Sequence, residues 1–160
     1  AVKADADGLH GVASLFRAAA HAEKLHSVNH ARVIRQFGGN APDEHEPPAV
    51  GTTLENLKTA LAGEQYEIDT MYSDFLKEAM ETKSPSAIRT FRFALEAEKT
   101  HARLFQEAIT RVEFGPADSW IVQARNFYVC PVCGYTSETP EEHERCPVCD
   151  TVWKRFDVIE

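Results

Sequence analysis

An internal repeat constrains the fold of this 160-residue chain more than any other feature. Residues 16–26, FRAAAHAEKLH, align with residues 91–101, FRFALEAEKTH, at an offset of 75, and seven of the eleven positions are identical. Apolar residues around both segments follow the three-to-four spacing of an amphipathic helix. The repeat therefore predicts a duplicated long helix, and helices of this length usually pack in bundles.

Start and stop signals divide the first part of the chain into three helices. The second helix opens with a capping box, in which Thr52 and Glu55 would satisfy each other's backbone N–H groups. The third opens with Ser84 at the N-cap and Pro85 at the first helical position. The predicted helices cover residues 8–37, 52–83 and 84–114, and the proline-rich stretch 40–50 predicts a loop.

Each copy of the repeat carries the pattern Glu-x-x-His, as Glu23/His26 and Glu98/His101. Side chains at i and i+3 lie on one side of a helix, so each copy can offer a carboxylate and an imidazole to one ion. A single Glu-x-x-His is a common surface pattern on an Ala-rich helix. Two matching copies favour a metal site over that surface interpretation.

The middle helix adds Glu64 and Glu67, again three residues apart, on the stripe that also holds its apolar residues. Carboxylates on a core-facing stripe cost several kcal/mol each unless they are paired or bind metal. Two Glu-x-x-His helices plus inward carboxylates from the others form the donor set of a two-metal site in a four-helix bundle. Tyr72, near the same stripe, either packs there or reaches a ligand carboxylate with its hydroxyl.

The remaining histidines carry less information. His30 follows His26 by one helical turn and could be a ligand, but an interface or a structural role fits it better. We expect four further histidines to be solvated: His10, His21, His45 and His143.

All four cysteines lie in two Cys-Pro-Val-Cys pairs, Cys130/Cys133 and Cys146/Cys149, separated by twelve residues. Two such pairs predict one tetrahedral four-sulfur site, which suits zinc or a single iron. Disulfide bonds are the weaker alternative for so tight a cluster. Gly134 would leave the backbone free for N–H contacts to sulfur, and apolar neighbours would favour a redox iron over a structural zinc.

Composition excludes several classes of protein. Seventeen Lys and Arg against 25 Asp and Glu give a formal charge of −8, which argues against a nucleic-acid binder. No apolar run approaches the ~20 residues of a membrane span. Clustered, reduced cysteines and the lack of a recognisable signal peptide suggest the cytoplasm. The expected organisation is a helical bundle at 1–115, a linker at 116–126 and a four-cysteine unit at 127–160.

Taken together, these motifs resemble the rubrerythrin family. The resemblance covers nearly the whole chain, and it implies a ferritin-like diiron bundle joined to a rubredoxin-like Fe(SCys)4 domain. It implies bridging carboxylates at Glu23 and Glu98, a terminal ligand at Glu64 and a permanent ligand at His101. It also implies that His26 and Glu67 replace each other as ligands of one iron when the oxidation state changes. Tyr72 would contact the ligands without binding metal itself. Glu67, His26 and Tyr72 are thus the expected catalytic residues.

The activity that the resemblance implies is reduction of hydrogen peroxide to water in oxidative-stress defence. Electrons would come from a reductase or a rubredoxin-type donor through the single iron of Cys130, Cys133, Cys146 and Cys149 to two irons in the bundle. Two alternatives stay open at this point. One is a ferritin-like iron oxidase or iron-handling protein, and the other is a non-enzymatic protein with structural zinc at the four cysteines.

The repeat also predicts that the bundle needs one more helix. Four helices complete a site of this type, and at the offset of 75 the counterpart of Glu64 would precede Ala1. We expect this helix to come from an N-terminal segment or from a separate peptide of ~25–35 residues bearing one inward Glu. A homodimer or a higher oligomer is expected as well.

Overall fold

The computed structural model describes residues 1–41, 49–115, 118–139 and 144–160. Within these residues the helices are α1 (Val2–Ala6), α2 (His10–Gln36), α3 (Thr53–Tyr66), α4 (Tyr72–Glu81), α5 (Pro85–Phe114) and α6 (Ser119–Val122). The strands are β1 (Phe127–Val129), β2 (Thr136–Ser137) and β3 (Asp157–Ile159). The expected mainly helical fold with a small β unit at the cysteines is confirmed. His45, His143 and most of the predicted loop 40–50 lie outside the described residues.

A π-helical turn, Glu67–Met71, divides the second long helix into α3 and α4. The sequence predicts one continuous helix over 52–83, so this interruption is a correction; no propensity pattern marks it. The start of α3 is as predicted, because Thr52 accepts from the N–H of Glu55 and the Glu55 carboxylate accepts from the N–H of Thr52. π-turns are rare inside helices and often occur at functional sites. This one begins at a predicted metal ligand.

Helix α5 runs through the middle of the bundle, with α2 on one side and α3 and α4 on the other. It spans the residues that the sequence predicts, although the Ser84 side chain makes no capping hydrogen bond. Buried alanines on α2 and α5 leave room for the two helices to approach closely. They include Ala18, Ala22, Ala94 and Ala97, each at most 1% exposed. Close approach brings the two copies of Glu-x-x-His to the same level of the bundle.

Strand β1 joins the bundle to the four-cysteine unit. It is central in a three-stranded antiparallel sheet of order β2-β1-β3, with Tyr128 opposite both Ser137 and Val158. Successive strand residues point to opposite faces. Accordingly Phe127 and Val129 are fully buried in the core of the bundle, while Tyr128 packs against the cysteine cluster.

The predicted linker 116–126 contains a short helix. Asp118 caps α6, with its side chain accepting from the N–H of Ile121, and Trp120 and Ile121 are buried in the bundle core. The connection is therefore packed against the bundle along much of its described length. The bounds of the two units and the fourth helix stay predictions. In the described segments, no helix is both long and apolar enough to cross a lipid bilayer.

Candidate metal centres

Three carboxylates and one imidazole meet at the centre of the bundle. They are Glu23 of α2, Glu64 of α3, and Glu98 and His101 of α5, and each offers a ligand atom within 4.8 Å of the other three. Glu98 and His101 are fully buried, with Nδ1 of His101 lying 2.9 Å from Oε2 of Glu98. The structure thus brings together four of the six residues that the sequence nominates as ligands in the bundle.

His26 lies beside this group and faces it with Nδ1. That nitrogen is 2.9 Å from Oε1 of Glu98 and 3.4 Å from Oε2 of Glu23, and the ring is 3% exposed. The opposite nitrogen, Nε2, lies 3.0 Å from the carbonyl oxygen of Cys133. Because a carbonyl can only accept, Nε2 carries the proton of this hydrogen bond. His26 therefore touches both candidate centres with one ring.

Glu67 is half-buried and lies outside the group of four. Burial, followed by the negative charges of Glu23, Glu98 and Glu64, raises the pKa of Glu67 to about 8. In the metal-free protein this carboxyl is consequently protonated at neutral pH. This carboxyl stays neutral because negative charge is already in excess around it.

The Tyr72 hydroxyl has a different neighbour from the ligand carboxylate that the sequence suggests as one possibility. It lies 3.1 Å from Nε2 of His30, whose Nδ1 lies 3.0 Å from Oγ1 of Thr90. Burial and the charge of His26 lower the pKa of His30 to about 4, and burial raises the pKa of Tyr72. His30 is thus a neutral ring with both nitrogens bonded, which fits a structural role.

Opposite charges set the ionisation of the buried pair on α5. Burial opposes both charges, but hydrogen bonds and charge attraction outweigh it. The pKa of Glu98 falls to about 2 beside His101 and His26, and the pKa of His101 rises to about 10 beside Glu64 and Glu98. Burial alone would lower the pKa of His26, yet Glu23 and Glu98 raise it well above its ordinary value.

Unsatisfied oxygens indicate what the bundle site lacks. Oε1 of Glu23 and Oε2 of Glu64 are buried and accept no hydrogen bond from the described part of the chain. Oε1 of Glu98 faces Nδ1 of His26 at 2.9 Å as an ion pair, but the two atoms are not aligned for a hydrogen bond. Burial raises the pKa of Glu64 despite the neighbouring His101. Buried carboxylates without donors are costly, and a cation removes that cost. Carboxylate and imidazole donors together fit non-haem iron.

The four cysteine sulfurs form the second candidate centre. Their Sγ atoms all lie within 4.8 Å of one another, with 3.4 Å between Cys130 and Cys149 and 3.5 Å between Cys133 and Cys146. All four thiols are free, so the disulfide alternative is wrong. Metal–sulfur bonds of ~2.3 Å in a tetrahedron place sulfurs ~3.8 Å apart, close to these separations.

Contacts among the thiols favour ionisation of two of them. Hydrogen bonds from Cys133 and Cys146 lower the pKa of Cys130 to about 7. Contacts with Cys130, and then with Cys133 and Cys146, lower the pKa of Cys149. The N–H of Val132 also stabilises the Cys130 thiolate. Gly134, expected to favour such N–H contacts to sulfur, instead donates its own N–H to the carbonyl of Cys130.

Residues 133–136 of the four-cysteine unit hold both histidines of the repeated motif; we call this segment the histidine-binding loop. Cys133 accepts from His26, and Oγ1 of Thr136 lies 3.0 Å from Nε2 of His101. Gly134, between them, has φ +80°, and a β-carbon there would collide with Nε2 of His26. Glycine thus permits both the backbone conformation and the close approach.

A second contact joins the two units nearer the start of α2. Nε2 of His21 lies 2.9 Å from Oδ2 of Asp157 on β3, and Arg17 donates to the carbonyl of Glu160. His21, which we expect to be solvated, is half-buried and pairs across the interface. His10 is exposed as expected, beside Asp5.

The comparison with known families decides the identity of this arrangement. The family model for rubrerythrin matches residues 1–109. The chain belongs to the rubrerythrin family. It is 34% identical to rubrerythrin-2 of Clostridium acetobutylicum, over 92% of this chain and 78% of that protein. It is 33% identical to nigerythrin of Nitratidesulfovibrio vulgaris, over 89% of this chain and 67% of that protein.

Solved structures of nigerythrin share the fold. The fully reduced, all-ferrous state matches with a TM-score of 0.77 at 27% identity, covering 98% of this chain and 79% of that one. The partially reduced state matches with a TM-score of 0.80 at 29% identity, covering 97% and 73%. The rubrerythrin resemblance and the ferritin-like plus rubredoxin-like architecture are confirmed. Rubrerythrin-family membership supports a diiron oxidoreductase role, and both clusters fit iron.

Sequence reasoning missed the histidine-binding loop. Cys133 contributes a backbone carbonyl, which no residue type reveals, and Gly134 contributes the absence of a side chain. Thr136 follows the second cysteine by three residues, where a polar residue also fits an ordinary strand position. The one available signal was Gly134 itself, since a glycine beside a metal ligand often permits a close approach.

Proposed function

We propose that this rubrerythrin-family protein reduces hydrogen peroxide to water. The overall reaction consumes one peroxide, two electrons and two protons and yields two waters. Electrons enter at the four-cysteine centre from a reductase or rubredoxin-type donor and pass to the bundle. The proposal rests chiefly on His26, whose ring contacts the Cys133 carbonyl with one nitrogen and Glu98 with the other.

That contact gives electrons a short route. From the Cys133 sulfur, covalent bonds lead to its own carbonyl, one hydrogen bond leads to His26, and the ring ends against Glu98. The ring is nearly excluded from solvent. An iron-storage protein has no need for such a connection, and neither has a structural zinc site. The geometry therefore supports a role in which the four-cysteine centre supplies electrons to the bundle.

The residues of the bundle take the roles that the family resemblance implies. Glu23 and Glu98 would bridge two irons, Glu64 and His101 would complete the shell, and His26 would exchange with Glu67. When bound, the two irons supply two electrons at one place and act as Lewis acids. The all-ferrous state named for nigerythrin supports iron as the metal. The chain itself orients the ligands, keeps His26 protonated at Nε2 and excludes water from Glu98 and His101.

Turnover with and without the four-cysteine centre tests the proposal. In iron-loaded protein supplied with a reduced rubredoxin, peroxide should disappear continuously. Cys149→Ser should abolish this steady-state activity, while its prereduced bundle should still consume one peroxide per iron pair. The matched control is Thr151→Ala, which removes a hydroxyl neighbour of Cys149 and leaves the four sulfurs in place.

Two results would contradict the proposal. Steady-state activity that survives Cys149→Ser would show that electrons do not have to pass through the four-cysteine centre. Oxidation of the ferrous protein by dioxygen much faster than by peroxide would point to an iron oxidase. Iron analysis and the red absorption of oxidised Fe(SCys)4 accompany the measurement, since a zinc site is colourless.

A further inference from the structure

A cleft of about 1030 Å³ runs between α5 and the four-cysteine unit. Its α5 wall presents Arg89, Arg92, Lys99 and Arg103, and Pro147 and Val148 of the four-cysteine unit form part of the other wall. The four cations follow one another at spacings of three, seven and four residues, so they form one stripe along the helix. From Arg89 to Arg103 the stripe is ~21 Å long at 1.5 Å per residue.

The charge of this cleft is opposite to that of the whole chain. Five cationic side chains, the four above and Lys83, line it with a single carboxylate, Glu96. Arg103 also pairs with Glu107 and Glu138 outside the lining, so the excess positive charge lies on Lys83, Arg89 and Arg92, whereas the whole chain carries −8. Lys99 pairs with Glu96 at 2.7 Å. Arg89 and Arg92 are exposed, and within the described segments no carboxylate forms an ion pair with either.

The floor of the cleft is the apolar cover of the four cysteines. Phe93, Tyr135 and Val148 all line the cleft, and the same three residues pack against the cluster that contains Cys130, Cys133 and Cys146. A redox group seated in the cleft would be separated from the sulfurs by one layer of side chains. The position therefore suits electron entry.

We propose that this cleft docks an acidic electron-carrier protein, which reduces the four-cysteine centre. The proposal rests on the proposed function, because only a redox centre at the four cysteines needs a donor. One electron would pass from the reduced carrier to a ferric iron that the four thiolates would hold, and no bond forms or breaks. Unpaired arginines beside an apolar floor provide fast, salt-sensitive association with an acidic partner. The open, elongated shape fits a protein surface better than a small molecule.

The test uses iron-loaded full-length chain and a separately purified acidic rubredoxin as the probe. The variant Arg89→Glu/Arg92→Glu reverses the two unpaired charges. The matched control, Lys154→Glu/Arg155→Glu, makes the same charge change on exposed residues of the four-cysteine unit outside the cleft. Two quantities are measured: the affinity for oxidised rubredoxin by calorimetry, and the second-order rate at which reduced rubredoxin gains its red absorption. Peroxide is present in excess, so that the four-cysteine centre is continually reoxidised and the net colour change is that of rubredoxin.

We expect Arg89→Glu/Arg92→Glu to lower both the affinity and the bimolecular rate by roughly tenfold or more at low salt. The rate of the unmodified chain should fall steeply with added salt, and that of the variant should not. The control variant should stay within about twofold of the unmodified chain.

Several results would overturn the docking proposal. One is an equal loss of affinity and rate in both variants, which would mean that only the total charge of the chain matters. A second is reduction by a nicotinamide dinucleotide alone with the same dependence on Arg89 and Arg92, which would make the cleft a nucleotide site. A third is a change in oligomeric state on reversing these charges, which would make it a contact between copies. Docking that persists in a protein unable to reduce peroxide would refute the proposed function while leaving this proposal intact.

Discussion

Thr136 and His101 meet across the boundary between the four-cysteine unit and the bundle, with Oγ1 3.0 Å from Nε2. The Thr136 hydroxyl donates to the carbonyl of Gly134, so toward His101 it acts as an acceptor. Nε2 of His101 therefore carries a proton, and Nδ1 faces Glu98. A hydroxyl outside the bundle thus fixes which nitrogen of a proposed ligand is available to metal.

Replacing this hydroxyl should weaken metal binding in the bundle. Thr136→Val keeps the shape of the side chain but leaves the His101 N–H unpaired, and loss of such a partner typically costs roughly 10–100-fold in metal affinity. Thr136→Ser keeps the hydroxyl and should bind normally. Calorimetric titration of ferrous iron into protein with a filled four-cysteine site measures the difference. Equal affinity for all three proteins would mean that Thr136 does not position His101.

Gly134 and Gly38 form a matched pair for a second prediction. Their φ angles are +80° and +78°, but Gly38 has open space where a β-carbon would lie and Gly134 has His26. Gly38→Ala should cost ~1–2 kcal/mol of unfolding free energy for the backbone conformation alone. Gly134→Ala should cost ~1–3 kcal/mol more, because the methyl group forces the loop away from His26. Urea unfolding curves of both variants give the two costs.

The comparison separates the cost of the backbone conformation from the cost of losing the contact with His26. Similar losses for the two variants would show that the approach of Gly134 to His26 contributes little to stability. A larger loss at Gly134 should be accompanied by slower electron transfer from the four-cysteine centre to the bundle. Gly38→Ala should leave that rate unchanged.

Most of the fold could be predicted from sequence because its signals are local. The repeat, the capping box at Thr52 and the Cys-Pro-Val-Cys pairs depend only on neighbouring residues. The π-turn at Glu67 and the packing of Trp120 against the bundle depend on tertiary contacts, which local patterns do not contain. The acidic and imidazole residues were identifiable because polar groups on an apolar stripe need a partner. Their partners in the histidine-binding loop were not, since they lie more than thirty residues away and act largely through backbone.

The pH dependence of the metal-free protein follows from the raised pKa values in the bundle. Folded Glu67, with a pKa of about 8, holds a proton that the unfolded chain releases near pH 4.5. His101, with a pKa of about 10, holds one that the unfolded chain releases near pH 6.5. Below pH 6.5 the lowered pKa of His30 offsets the gain at Glu67, because the unfolded chain protonates that imidazole and the folded state does not. Above pH 6.5 the folded state binds more protons, so its stability should fall as pH rises from about 6.5 to 10. Thermal melts without metal measure this trend.

Glu67→Gln isolates the carboxyl contribution. Its melting temperature should fall less than that of the unmodified chain between pH 5 and 8, and equally above that range. Glu81→Gln, an exposed carboxyl on α4, should follow the unmodified chain throughout. Identical pH profiles for Glu67→Gln and the unmodified chain would contradict the raised pKa of Glu67.

His26 gives a fourth prediction, which concerns exchange with Glu67. If the two residues alternate at one iron, the oxidised His26→Ala variant should retain two bundle irons, because Glu67 then occupies that position. Reduction of the bundle by the four-cysteine centre should slow by about tenfold or more, since the contact with Cys133 is lost. Iron analysis and stopped-flow absorption give the two results.

His30→Ala is the control on the same helix. It removes the bonds to Thr90 and Tyr72, so it should lower stability by ~1–3 kcal/mol without slowing electron transfer. Loss of one iron from oxidised His26→Ala would mean that His26 is a constant ligand and that no exchange occurs.

The histidine-binding loop also limits which electron-transfer units this bundle can accept. A transplanted four-cysteine unit would have to present a carbonyl at its second cysteine, no side chain at the next residue and a hydroxyl two residues later. A unit with the right metal and the right potential, but with alanine in place of Gly134, would not seat against His26. Compatibility between the two halves of the molecule therefore depends on the backbone and side chains of residues 133–136, and not only on the four sulfurs.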